Sequence, residues 1–168
     1  MAIITLNNNS LVNADVGKVL QVVQTVKTDD FSASLATDTV TDITGLSASI
    51  TPSSASNKIL VSYDIMVHTT SGSGKIQLMR DSTKICINTS TSGFEAQTSM
   101  SANDVVYALT VSSFSFLDSP STTSSITYKP QASHASGVTQ TVYVNRPEST
   151  SSRHGRVSSQ ITLMEIAG

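Results

Sequence analysis

An alternating pattern between residues 46 and 67 constrains the fold more than any other feature of the sequence. Apolar and polar residues alternate from Leu46 to Ile50, as in a strand with one face on a core. Pro52 then cannot donate a ladder hydrogen bond, and residues 53–57 are turn formers. A second alternating run places five apolar side chains on one face: Ile59, Val61, Tyr63, Ile65 and Val67. The pattern predicts two strands joined by a turn at the centre of an antiparallel sheet.

Short β-type segments recur through the rest of the chain, separated by turn residues. They are rich in valine, isoleucine and threonine and have no helical period. We expect strands at 18–27, 75–80, 84–87, 105–117 (with a bulge near Ser112 and Ser113), 125–129 (ended by Pro130 and paired with 138–144) and 157–166. Residues 31–42 are expected to form a loop or a weak edge strand. Eight to ten such strands predict an all-β fold, and an antiparallel jelly-roll β-sandwich fits the count.

The composition supports a folded β protein and argues against several classes of function. Serine and threonine occupy 30 and 22 of the 168 positions, while only 13% of residues are charged and the net charge is −2. Disorder requires low hydrophobicity with high net charge, so we assign the hydroxyl residues to solvent-facing strand positions and turns. The ten Lys and Arg residues are scattered singly, so no nucleic-acid partner is expected.

Residues 1–17 differ from the domain that we predict for residues 18–168. Ile3, Ile4 and Leu6 form a short apolar segment, and polar residues follow it. The segment is expected to be either an edge strand or an extended arm that reaches a neighbouring chain, and we favour the arm. It contains no Lys or Arg, so neither membrane insertion nor a cleaved secretion signal is expected, and synthesis in a cytoplasm is expected.

The sequence offers little for catalysis or for metal binding. Cys86 stands between two isoleucines, where a buried, inert thiol is expected. Three histidines, His68, His134 and His154, have no paired spacing and are expected to lie on the surface or in loops. Asp29 and Asp30 lack the ladder of a calcium loop. We therefore predict no enzyme activity, no catalytic residue, no cofactor and no metal.

Several segments, taken in order, carry a resemblance to a known family. They are Gly17-Lys-Val-Leu-Gln-Val-Val-Gln24, Thr41-Asp-Ile-Thr-Gly-Leu-Ser47, Ser49-Ile-Thr-Pro-Ser-Ser54, Ser56-Asn-Lys-Ile-Leu-Val61, Phe116-Leu-Asp-Ser-Pro120 and Ile161-Thr-Leu-Met-Glu-Ile166. Together with the opening Met1-Ala-Ile-Ile-Thr-Leu-Asn-Asn-Asn-Ser10, they resemble small virion proteins of tailed phages, common in marine and cyanobacterial phages. Such domains are similar in architecture to the trimeric jelly-roll heads of tumour necrosis factor and complement-collagen proteins.

The resemblance implies a structural role in a virion assembled in a bacterial cytoplasm. We expect a homotrimeric capsid decoration (cement) protein that binds capsid or tail proteins through its arm. The residues expected to anchor it are Ile3, Ile4, Leu6, Asn7, Asn8 and Asn9. The residues expected at the trimer interface are Tyr63, Ile65, Tyr143, Ile161 and Leu163. The alternative is a receptor-binding tip of a tail fibre or capsid knob, whose Ser/Thr-rich loops at 88–102 and 119–125 would contact a host glycan.

Overall fold

The computed structural model describes residues 17–90, 97–102, 108–149, 151 and 155–168. Within these ranges the chain forms twelve β-strands and no helix. The strands are β1 (Val19–Lys27), β2 (Phe31–Leu35), β3 (Thr41–Asp42), β4 (Ala48–Ile50), β5 (Lys58–Thr69), β6 (Ser73–Arg80), β7 (Thr83–Ile85), β8 (Ser99–Ala102), β9 (Thr110–Asp118), β10 (Ile126–His134), β11 (Gln140–Val144) and β12 (Ser159–Ile166). The predicted all-β class is therefore confirmed.

The strands form two antiparallel six-stranded sheets that make a β-sandwich. The first sheet has the order β1-β12-β5-β11-β2, and β9 pairs with β5 along the edge opposite to β12. The second sheet has the order β3-β10-β6-β7, with β4 also paired to β10 and β8 also paired to β6. The long strand β5 lies at the centre of the first sheet, because it has neighbours on both edges.

The hydrophobic core lies between the two sheets and confirms the predicted inward face of β5. All five apolar side chains of the alternating run, from Ile59 to Val67, are buried. They pack in one cluster with side chains of the second sheet, among them Ile76, Leu78 and Tyr128. Alternation along a strand thus separates the core side from the outer side.

The predicted turn between the two alternating runs is in fact a connection between the sheets. β4 pairs with β10 in the second sheet, where Ser49 lies opposite Thr127, whereas β5 belongs to the first sheet. The prediction that these two strands pair with each other is therefore wrong. An alternating strand only needs an apolar layer against one face, and the opposite sheet supplies that layer.

Pro130 does not end its strand, because β10 continues to His134. Its carbonyl accepts a hydrogen bond from Ile43 N–H, so its nitrogen points to the same edge of β10. On that edge β4 pairs no further than Tyr128 and β3 begins at Gln131, so no ladder hydrogen bond is required at the proline. The predicted pairing of 125–129 with 138–144 is also wrong, since β11 pairs with β2 and β5 in the first sheet.

The remaining predictions for individual strands agree in part with the structure. β1, the β6–β7 hairpin and β12 occupy the segments expected for them. The bulge expected near Ser112 and Ser113 is absent from the unbroken register of β5 with β9, and a register shift lies between Val19 and Gln21 instead.

Asn145 fixes the point where β11 and β12 meet along one edge of β5. Its buried side-chain amide donates to the carbonyls of Lys27 and Asp29, at 2.9 Å each, and its oxygen accepts from the Ser159 hydroxyl at 2.6 Å. The residue has a φ of 68°, a left-handed conformation that asparagine tolerates better than most residues. These hydrogen bonds keep β1 beside β12 and β2 beside β11, so that β1 and β2 lie in line with each other on the side away from β5.

Candidate interaction surface

The outer face of the first sheet carries a continuous row of apolar side chains. Val22 of β1 lies opposite Met164 of β12, Met164 lies opposite Leu60 of β5, and Leu60 lies opposite Leu117 of β9. Their strand neighbours point inward to the core, so these four point outward. We call Val22, Met164, Leu60 and Leu117 the apolar row. Val22 and Leu117, at its ends, are 57% and 45% exposed.

A row of uncharged polar side chains lies two residues further along the same strands. Gln24 lies opposite Thr162, Thr162 opposite Ser62, and Ser62 opposite Ser115. The amide of Gln24 donates to the Thr162 hydroxyl at 3.0 Å. We call Gln24, Thr162, Ser62 and Ser115 the hydroxyl row, since three of its four members bear hydroxyl groups.

An open pocket of about 430 Å³ around Asp64 completes this face. The Asp64 carboxylate accepts hydrogen bonds from the Ser113 hydroxyl at 2.5 Å and the Gln160 amide at 2.9 Å. These two hydrogen bonds lower the pKa of Asp64 below its ordinary value. Apolar side chains of Val26, Met66 and Val111 form part of the pocket wall. We use outer face for the apolar row, the hydroxyl row and this Asp64 pocket together.

The sequence contains a signal for the outer face that strand alternation alone overlooks. In β5, Leu60 and Met66 stand at positions that a half-exposed strand would give to polar residues. β12 has Met164 at such a position, and β1 has Val22 and Val26. Apolar residues on both faces of a strand indicate that both faces become covered.

Four of the five residues predicted for the trimer interface lie on the wrong side of the first sheet. Tyr63, Ile65, Ile161 and Leu163 are buried in the core of a single chain, so they cannot contact another subunit. On these strands the opposite face is the accessible one, since adjacent residues of a strand point in opposite directions. Only Tyr143 is not fully buried; its ring lies 5.7 Å from that of His68, and the Arg146 guanidinium lies over it.

The residues predicted to anchor the protein to a virion, Ile3, Ile4, Leu6, Asn7, Asn8 and Asn9, lie outside the described residues. The structure does show where the preceding chain joins the domain. Gly17 N–H donates to the Ala167 carbonyl at 2.8 Å, and Ala167 N–H donates to the Lys18 carbonyl at 2.9 Å. The segment before residue 17 is thus connected beside the end of β12 and the start of β1.

The histidines differ from the prediction of surface or loop positions. His68 lies in β5 and His134 at the end of β10, and both are buried. A ring nitrogen of His68 lies 2.9 Å from the Ala108 carbonyl, and one of His134 lies 3.0 Å from the Leu35 carbonyl. Both strands extend further than the sequence pattern indicated, which brings these residues into the sandwich. His154 lies outside the described residues.

Cys86 is only half-buried and not fully buried as expected. It has a φ of 51° just after β7. Partial burial, with a smaller contribution from the Asp118 charge, raises the pKa of its thiol. A raised pKa lowers the thiolate fraction and hence the nucleophilicity of the sulfur.

A carboxylate that sequence analysis overlooked connects the two sheets. Asp118, at the end of β9, is buried and accepts two hydrogen bonds from the Arg80 guanidinium of β6, at 2.9 and 2.8 Å. The Tyr128 hydroxyl of β10 donates to the same carboxylate at 2.6 Å. Burial and the hydrogen bond to Asp118 raise the pKa of Tyr128. The three groups satisfy one another's hydrogen-bonding capacity, so the arrangement has a structural role and joins the two sheets.

The described part of the chain contains no group of three or more His, Cys, Asp or Glu residues placed to bind a metal ion. It also contains no helix long and apolar enough to span a membrane. Comparison with known proteins found no matching protein-family model and no matching curated protein. The outer face, where apolar side chains from four strands are exposed or half-buried, is the candidate functional surface in the described residues.

Proposed function

We propose that this chain is a structural protein of a tailed-phage virion, acting as a trimeric capsid decoration protein anchored through residues 1–17. The proposal assigns the protein to the virion, and its partners are two further copies of itself and capsid or tail proteins. It includes a jelly-roll arrangement of the β-sandwich and no catalytic activity. The observation that carries it is the outer face, where apolar side chains from four strands meet water in the single chain.

A structural protein of a virus particle needs to be rigid. Buried, hydrogen-bonded polar side chains give this fold its rigidity. Asn145, Asp118 and Glu165 each join segments that are distant in sequence. Buried hydrogen bonds of this kind favour a single arrangement of the strands, because an alternative arrangement would leave them unsatisfied. The sandwich has no disulfide, since Cys86 is the only cysteine, so its folding does not require an oxidising compartment.

The connection at Gly17 supports the anchoring part of the proposal. An extended segment of sixteen residues spans up to about 55 Å, enough to reach across a neighbouring subunit. Its apolar residues, Ile3, Ile4 and Leu6, would gain burial on another protein, while the polar residues between them and the domain act as a spacer.

Deletion of residues 1–12 tests the anchoring directly. We expect the truncated protein to fold and to keep the mass of the full-length assembly, but to bind particles that lack this protein at least about tenfold less in co-sedimentation. The loss follows from removal of the apolar segment. Ser10→Ala, within the arm but outside the predicted anchoring residues, is the matched control and should bind as wild type. Full occupancy of particles by the truncated protein would show that the arm is not the anchor.

A receptor-binding tip is the alternative, and the exposed loop at 119–125 is the observation that favours it. Ser119, Ser121, Thr123, Ser124 and Ser125 are all exposed there and offer hydroxyl groups to a glycan. The number of copies per particle separates the two roles, because hundreds of copies fit a decoration protein and about a dozen fit a fibre tip. A turnover assay that detected product from a host polysaccharide would contradict the non-catalytic proposal.

A further inference from the structure

We infer that the outer face of the first sheet is the surface on which a second copy of this chain docks. This inference deepens the proposed function and rests on its self-association, because it assigns the face through which the subunits meet. It also replaces the inward-facing residues expected from the sequence with outward-facing residues of the same strands and of β1 and β9.

The apolar row is the first argument. It crosses four adjacent strands without a polar interruption, and its end residues are about half exposed in the single chain. Val26 and Val111 add exposed apolar surface beside the Asp64 pocket. Single exposed apolar residues are common in monomers, but a contiguous apolar surface usually marks an interaction site.

Charge is the second argument, because it narrows the choice of partner. Among the side chains that these four described strands direct outward from the apolar row to the pocket, Asp64 is the only charged one. Its carboxylate already accepts hydrogen bonds from Ser113 and Gln160. A strongly basic partner would find a single carboxylate here, and nucleic acid or an anionic lipid surface would find on these strands only Lys58, which lies at the rim two residues beyond Leu60.

The hydroxyl row is the third argument, and it favours a second copy over a different protein. Hydroxyl and amide groups both donate and accept hydrogen bonds, so such a row can satisfy the same row of an identical chain. In a trimer the three equivalent rows converge on the threefold axis, where charged groups of one sign would repel one another. Gln24, Thr162, Ser62 and Ser115 thus let the three equivalent faces be buried around that axis without leaving polar groups unsatisfied.

The size of the face is a fourth argument, since it covers a large part of a standard interface. Across four strands about 4.8 Å apart, a stretch of about seven residues at about 3.3 Å per residue presents roughly 450 Å² in projection. A standard interface uses about 800 Å² of accessible surface from each partner. The accessible area exceeds this projection because the side chains are corrugated, and exposed Val19 and Leu20 at the start of β1 extend the apolar surface.

Substitution at the two ends of the apolar row tests the inference on the full chain. We expect Val22→Asp combined with Leu117→Asp to weaken association roughly 100-fold or more in sedimentation equilibrium, because each subunit would bury unpaired charges. Val138→Asp is the matched control, since Val138 is 62% exposed but lies off the outer face, between β10 and β11. The control should associate as wild type, and circular dichroism should show all variants folded.

Methionine oxidation gives a second readout that requires no substitution. Met164 lies in the apolar row, whereas Met100, 56% exposed in β8, lies in the second sheet. Diluting wild-type protein below its association range should raise the oxidation rate of Met164 by about fivefold or more and leave that of Met100 unchanged, since oxidation follows access.

Three results would overturn the inference. The double variant could associate as tightly as wild type, or Met164 could oxidise equally in associated and dissociated protein. Protection of Met164 could instead be lost in protein lacking residues 1–12, which would identify the arm as the occupant. The first two results do not bear on particle binding, which the co-sedimentation of the truncated protein tests by itself, so the inference and the proposed function can fail separately.

Discussion

Glu165 is buried at the end of β12, where one carboxylate oxygen accepts three hydrogen bonds. The donors are the backbone N–H and hydroxyl of Ser53, at 2.6 and 2.7 Å, and the side-chain amide of Asn57, at 2.6 Å. Burial by itself favours the neutral acid, but the hydrogen bonds outweigh it and lower the pKa of Glu165 from its ordinary value of 4.5. The residue fastens the connection between the two sheets to the first sheet.

This geometry predicts how stability depends on pH. Because the pKa of Glu165 is lower in the folded than in the unfolded protein, its contribution is complete above about pH 4.5 and is lost as the pH falls through the folded value. Glu165→Gln should be less stable at pH 7 and should lose less stability than wild type between pH 5 and about pH 3. Urea unfolding at several pH values measures both effects. Glu148→Gln, at an exposed site, is the control, and equal slopes for Glu165→Gln and wild type would contradict the prediction.

Single residues were predictable where they followed strand alternation and unpredictable where they departed from it. The inward positions from Ile59 to Val67 follow it and were identified correctly. Glu165 occupies an inward position that the pattern would give to an apolar residue, and its three donors come from residues more than 100 positions earlier. No local pattern contains that information, and the same holds for the backbone carbonyls beside His68 and His134.

At the scale of the elements, β10 shows how the position of a proline within a sheet determines how much it destabilises the fold. The nitrogen of Pro130 points to the gap between β4 and β3, where neither strand pairs with it and no N–H donor is required. Ala132, two residues later, presents its N–H to the same edge, but there it lies opposite Thr41 of β3. One position tolerates proline and the other should not.

We therefore expect opposite outcomes from two substitutions in β10. Ala132→Pro should destabilise the protein by about 3 kcal/mol or more, because it removes a ladder donor and places a ring in a fully buried site. Pro130→Ala should change stability by less than about 1 kcal/mol. Chemical denaturation compares the two variants with wild type. Equal losses would contradict the conclusion that no ladder hydrogen bond is required of the Pro130 nitrogen.

Strand segments were easier to predict from the sequence than strand partners. The runs at 18–27 and 157–166 appear as β1 and β12 because each carries β-type residues between turn signals. The partners of β4 and β11 were wrong because alternation states which face is apolar and not which strand lies alongside. The apolar outer positions, such as Leu60 and Met164, were present in the same runs, and the proposed docking of a second copy is based on them.

At the scale of the whole molecule, we propose that this β-sandwich acts through its surfaces. One face of the first sheet forms the core with the second sheet, and the other face combines an apolar row with an uncharged polar row. Residues 1–17 join the domain beside this face, so association of the subunits and attachment to a particle would use neighbouring parts of the molecule. Both roles are proposals, and the docking of subunits on the outer face depends on self-association.

The native mass in solution tests that dependence most directly. A chain of 17.7 kDa that forms the proposed trimer should sediment at micromolar concentration as a single species of three times that mass. The mass should fall toward that of one chain on dilution and in the variant with both Val22→Asp and Leu117→Asp. A wild-type protein that sediments as a single 17.7 kDa chain throughout the micromolar range would contradict the account.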